Sequence, residues 1–125
     1  MMRTLIYAVL LLAFISCQKT SNEEEDKAAI IEVMNNQEKA WSNHDLEGFM
    51  DGYWKSDSLK FYGSSGLTYG WEKTLSNYKK GYPTPAHSGK LTFKINDISR
   101  IDEVSYFVMG EYHLTREVGN ADGVF

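Results

Sequence analysis

The 125-residue chain has one cysteine and only two prolines. A single cysteine excludes an internal disulfide, so stability must come from a packed core in any compartment. Positive charge is not in excess either, with 13 lysines and arginines against 17 aspartates and glutamates. No basic stretch is available to neutralise phosphates, and nucleic acid is not an expected partner. His44, His87 and His113 are scattered without ligand spacing, so no metal site is expected. The G-x-S-x-G elbow and phosphate-binding glycine loops are missing, GSSG at 63–66 reads as a turn, and no cofactor is implied.

What is present begins at the N-terminus. Arg3 precedes the apolar run LIYAVLLLAFI at 5–15, which is too short to cross a bilayer and has the length of a signal-peptide core. Small Ser16 sits before Cys17, and FISC resembles a lipobox, with Phe14 where leucine is usual. Residues 1–16 are therefore read as a signal peptide. Cys17 is read as the acylated first residue of a lipoprotein, held to the bacterial envelope at the outer membrane or the periplasmic face. The lipid is then the protein's only membrane contact. The competing reading, a short buried helix with an incidental cysteine, fits poorly with a run that starts almost at the initiator.

Residues 17–26 read as a polar tether. Its acidic run at 23–26 is either a surface-export signal or a solvated linker that becomes the first turn of a helix. Removing residues 1–16 leaves 12 basic and 17 acidic side chains, a net charge of −5, most of it in that run. About 100 residues remain for folding, enough for one domain at 27–125.

Ser21 with Glu24 reads as a capping box, and Ile30, Met34, Gln37 and Trp41 recur at helical spacing, which predicts a helix over 23–42. Asn43, His44 and Asp45 break it and cap a second helix carrying Leu46, Phe49, Met50 and Tyr53. A short strand at 59–61 follows. Trp71, Leu75, Tyr78 and Tyr82 mark a third helix, stopped by Gly81 and Pro83. Leu91, Phe93 and Ile95 alternate with polar residues, and Ile98 breaks that phase, which predicts a bulge near Asn96 and Asp97 in a curved sheet. A long strand at 104–116, a turn at 119–123 and a two-residue strand start complete the pattern. The fold class is α+β, with three helices on one face of an antiparallel sheet.

The blocks AWSNHDLEGFMDGY and GEYHLTR resemble the nuclear transport factor 2-like superfamily. YWKSDSLKFYG, TYGWEKTLSNYKKGYP and GKLTF are more specifically similar to exported SnoaL-like proteins of uncharacterised function. The resemblance covers 27–125 and implies a cone-shaped fold, an apolar cavity at its wide end and a homodimer. It also implies two further strands after the 119–123 turn, so the chain reads as truncated there, with the edge of 104–116 uncovered. Ketosteroid isomerases of this fold use a tyrosine on the first helix and a carboxylate beyond the first strand. Those places hold Gln37 and the pair Phe61 and Tyr62, so neither role carries over.

Rings cluster on the helices and their turns. Trp41, Tyr53, Trp54, Tyr69, Trp71 and Tyr78, with Gln37, are the candidate lining of a cavity for a small apolar or aromatic molecule. Tyr69 and Trp71 flank Gly70 at a helix start, where backbone N–H groups would be free. Glu111 and His113, two apart on one strand, share a face with Phe107 and Met109. They are either an acid–base pair inside the cone or ordinary polar residues on a solvated or dimer-facing surface. Three functional readings remain: a lipid-anchored small-molecule binder, a SnoaL- or isomerase-type enzyme using Glu111 and His113, and a dimerising accessory module without ligand.

Overall fold

The structure is a computed structural model that describes residues 22–125. The signal peptide, the lipobox and Cys17 lie outside the described residues. Helix α1 (Glu23–Ser42) begins with the acidic run, whose four carboxylates form its first turn, where the helix dipole favours them. The cap is Asn22, whose side chain accepts from the Glu24 N–H at 3.2 Å; Ser21 lies outside the described residues. The Lys27 ammonium, 2.7 Å from Glu23, holds that carboxyl below its ordinary range, chiefly through their hydrogen bond. The helix ends where His44 turns left-handed, with φ 59°. Asp45 then caps α2 (Leu46–Met50), its Oδ1 accepting from the Gly48 N–H at 2.9 Å.

Strands β1 (Lys60–Gly63) and β2 (Gly66–Tyr69) form a two-stranded hairpin. The sequence shows β1 and the turn but not β2, which is only four residues long and owes its form to pairing with β1. Helix α3 (Trp71–Gly81) follows, and then α4 (Pro85–Ser88), a single turn without periodicity that sequence pattern does not reveal.

The main sheet has the antiparallel order β3-β4-β5, with β3 (Lys90–Arg100), β4 (Tyr106–Thr115) and β5 (Ala121–Val124). The expected bulge is present as a register shift between Ile95 and Asp97. The end of the chain differs from expectation. The Arg116 N–H donates to Asn120 Oδ1 at 3.1 Å, and the Arg116 guanidinium Nε donates to the Gly119 carbonyl at 2.7 Å. These bonds close the turn early enough for residues 121–124 to pair with 111–114. Gly110 and Phe125 extend the ladder with two backbone bonds of 3.0 Å each. The β4 edge is thus covered from residue 110 to residue 114.

The core joins the helices to the sheet through Trp41, Leu46, Phe49, Met50, Trp71, Leu75, Leu91 and Leu114. Both buried indoles satisfy their N–H on backbone, Trp41 on the Ser88 carbonyl at 2.9 Å and Trp71 on the Met50 carbonyl at 2.8 Å. α1 also covers the free edge of β3. Glu38 Oε2 accepts from the Phe93 N–H at 2.8 Å, and Ser42 Oγ accepts from the Leu91 N–H at 3.1 Å. At the other end of the helix, Asp26 Oδ2 accepts from the Tyr106 hydroxyl at 2.8 Å.

Glu38→Ala should therefore lower stability by about 1 kcal/mol, because it leaves a half-buried N–H without an acceptor. Glu38→Gln, which keeps a carbonyl oxygen in reach, should lose clearly less. Urea unfolding of the three proteins measures the difference, and equal midpoints for Glu38→Ala and the parent would refute the role.

Candidate functional site

The helices, the β1–β2 hairpin and the sheet enclose a cavity of about 980 Å³. Its sheet wall follows from pairing: Leu91 faces Leu114 and Phe93 faces Tyr112 across β3 and β4, and all four point inward. Gly123 lies opposite Tyr112, and a Cβ there would run into the tyrosine ring, so only glycine lets the ring lie flat across β5. α1 contributes Met34, Gln37 and Trp41, and α3 contributes Thr74 and Tyr78. Phe49, Tyr53 and Phe61 complete the apolar part.

The rings meet mainly edge to face. Trp41 lies 4.9 Å from Phe49 and 4.6 Å from Tyr82, and Phe61 lies 5.7 Å from Tyr78 and 5.8 Å from Tyr53. Within this apolar wall runs one polar thread. Gln37 is buried, its amide donates to the Phe49 carbonyl at 3.1 Å, and it lies so close to Gly52 that a Cβ there would sit 2.5 Å from its nitrogen. The Tyr53 hydroxyl lies within electrostatic reach of the Gln37 and Tyr78 side chains. Burial pushes the phenols of Tyr53, Tyr78 and Tyr82 up, and the neighbouring Tyr53 and Tyr82 push Tyr78 further.

Of the residues singled out in the sequence, Gln37, Trp41, Tyr53 and Tyr78 stand in the cavity wall. The others do not. Trp71 is buried in the core beneath Met50, with Lys55 Nζ 4.5 Å over its ring. Trp54 is 66% exposed and Tyr69 59% exposed, Tyr69 sharing the outer face of the hairpin with its pairing partner Lys60. Two N–H groups at the α3 start are already used: Gly70 donates to the Leu59 carbonyl at 2.8 Å and Trp71 to the Ser56 carbonyl at 3.0 Å.

Glu111 and His113 are neighbours, but on the convex face of the sheet. Their cross-strand partners are Lys94 and Thr92 on one side, Val124 and Asp122 on the other. His113 Nδ1 lies 2.6 Å from Asp122 Oδ1, and its Nε2 lies 3.8 Å from Glu111 Oε2. Hydrogen bonds from Asn96 and Lys94 hold the Glu111 carboxyl below its ordinary range, the opposite of the raised value that burial would give a base in an apolar cone.

Phe61 and Tyr82, part of the same aromatic cluster in the sequence, also line the cavity, whereas sequence reading missed Tyr112, Phe93 and Arg116. Among the described residues, no group of three histidine, cysteine, aspartate or glutamate side chains is placed to hold a metal ion.

The raised phenols make a prediction at alkaline pH. A group whose folded value lies above its unfolded value holds more protons when folded, so its stabilisation is complete below the unfolded value and declines above it. Unfolding free energy should stay level up to about pH 10, the ordinary tyrosine value, and then fall as pH rises further. Tyr78→Phe should flatten that fall. Urea titrations at stepped pH check this, and a fall of equal slope in the variant would contradict it.

No family model matches the chain, and no curated protein matches it. Two solved structures do. A domain of unknown function with a cystatin-like fold from Nostoc punctiforme PCC 73102 shares the fold, with a TM-score of 0.61 at 15% identity over 82% of this chain and 66% of that one. An NTF-2-like protein of unknown function from Shewanella oneidensis MR-1 has a TM-score of 0.75 at 32% identity, over 79% of this chain and 82% of that one. With helices followed by an antiparallel sheet around one aromatic cavity, and sequence identity at that level across most of both chains, this chain belongs to the nuclear transport factor 2-like family.

Proposed function

We propose that this is an exported, lipid-anchored domain of the SnoaL-like kind that binds a small apolar or aromatic molecule in its cone. The observation that carries the reading is the cavity itself. Its volume, about 980 Å³, is at the upper end of the range for small-molecule sites, and ten of the residues lining it are aromatic. The LIYAVLLLAFI run before Cys17 supports export and anchoring, and the YWKSDSL and TYGW blocks support the SnoaL-like assignment. The enzyme reading loses its acid–base pair to the convex face. The accessory-module reading draws on that same face, where Phe107, Met109 and Val124 are exposed and two copies would pair.

Titration with the neutral fluorescent probe N-phenyl-1-naphthylamine tests the cavity. Saturable binding is expected, weakened about tenfold or more by Thr68→Trp, which sets an indole into the wall from β2. Glu111→Gln and His113→Ala, on the other face, should leave the affinity unchanged. Absence of saturable binding, or equal losses in all three variants, would reject the reading. The anchor is tested separately. Cys17→Ser should move the protein from the membrane fraction to the soluble fraction without changing its unfolding curve, and a variant that still pellets with membranes would refute lipidation.

A further inference from the structure

Resting on the cavity reading above, we infer that the ligand is an amphipathic anion, an aromatic or aliphatic body with one carboxylate-type group that docks against Arg116. The charged side chains in the cavity wall are Lys80 and Arg116, both positive, with no aspartate or glutamate among the lining residues. The chain as a whole has the opposite balance, 17 acidic residues against 13 basic. Lys80 is exposed at the rim, whereas Arg116 is half-buried.

Arg116 is also held in position without being neutralised. Its Nε donates to the Gly119 carbonyl at 2.7 Å and its Nη1 reaches the His87 carbonyl at 3.5 Å. Both acceptors are uncharged, and among the described residues Arg116 forms no ion pair. Two carbonyls orient the fork and leave Nη2 uncommitted. A guanidinium so placed suits a planar carboxylate, and it acts more strongly beside a low-dielectric wall than in water. Its field already reaches into the cavity: it draws the Tyr82 phenol down against the upward push of burial. Tyr82 and Tyr112 line the same cavity and carry hydroxyls that can donate to an anion, and Tyr82 lies within reach of the Arg116 charge. An apolar body then fills the ring-lined part, and its acidic group meets the cationic side.

The test is displacement of bound N-phenyl-1-naphthylamine by two ligands of nearly equal shape, 2-naphthoate and the neutral 2-naphthamide. The parent protein should prefer the naphthoate about tenfold, the scale of one charge-assisted hydrogen bond. Arg116→Gln should bring naphthoate down to the level of naphthamide without changing naphthamide, and Arg116→Lys should recover part of the preference. Equal displacement by the two ligands in the parent overturns the inference while leaving the cavity reading intact. A preference that survives both Arg116→Gln and Lys80→Gln overturns it as well. If Arg116→Gln weakens both ligands alike, Arg116 only clamps the 116–120 turn, and the inference falls. Failure of the probe to bind at all rejects the cavity reading and this inference with it.

Discussion

The long helix substitutes for a missing strand along the edge of β3, and the cavity depends on that contact. Four residues of helix advance about 6 Å and two residues of strand about 6.6 Å, so side chains at i and i+4 of a helix can meet N–H groups at i and i+2 of a strand. Glu38 and Ser42 do so with Phe93 and Leu91. An open strand edge would otherwise carry unpaired N–H groups into a half-buried region. The same bonds fix the helix across the sheet at one end, and the Asp26–Tyr106 bond fixes it at the other. Leu91 and Phe93 are then both tied to α1 by backbone and turned toward the cavity by side chain. The wall and its support are one structure.

The bulge at Asn96 decides what the sheet shows to that cavity. Near the β3–β4 turn, Arg100 pairs with Tyr106 and Asp97 with Met109. Continued unbroken, that register would set Phe93 opposite His113 on the outer face, and Phe93 would leave the cavity wall. The extra residue shifts the partner by one, so Phe93 meets Tyr112, and a shift of one residue exchanges faces. The bulge was legible in the sequence, since Ile98 falls out of phase with Leu91, Phe93 and Ile95. Which face of β4 meets the cavity was not, because that requires the pairing register as well as the phase of one strand. Gly123 offered a second clue: a glycine across from an aromatic ring marks where the ring lies over the backbone.

The helices were more legible than the roles of their rings. Periodicity places Trp71, Leu75, Tyr78 and Tyr82 on one stripe of α3, and the structure has that stripe face inward along its length. A single stripe nonetheless passes from solid core at Trp71 and Leu75 to cavity wall at Tyr78 and Tyr82. Helical spacing cannot say where packing ends and space begins, since that depends on how far the sheet curves away. Trp54 and Tyr69 are a different case. No periodic pattern held them, and β2, too short to be seen in sequence, turned Tyr69 outward.

Polar groups in the wall are of two kinds, satisfied and charged. The buried polar side chains of the wall are satisfied by backbone, the Gln37 amide by the Phe49 carbonyl and the Thr74 hydroxyl by the Gly70 carbonyl. Among the described residues no fully buried side-chain polar atom is left unsatisfied. On the helical side, the proposed guest would meet satisfied groups at Gln37 and Thr74, rings, and the phenols of Tyr53 and Tyr78. Arg116 is tied only to neutral carbonyls and, like the exposed Lys80, forms no ion pair among the described residues. If the proposed guest binds, the rings would set how large and how apolar it is, and the Arg116 charge would set which end of it goes in.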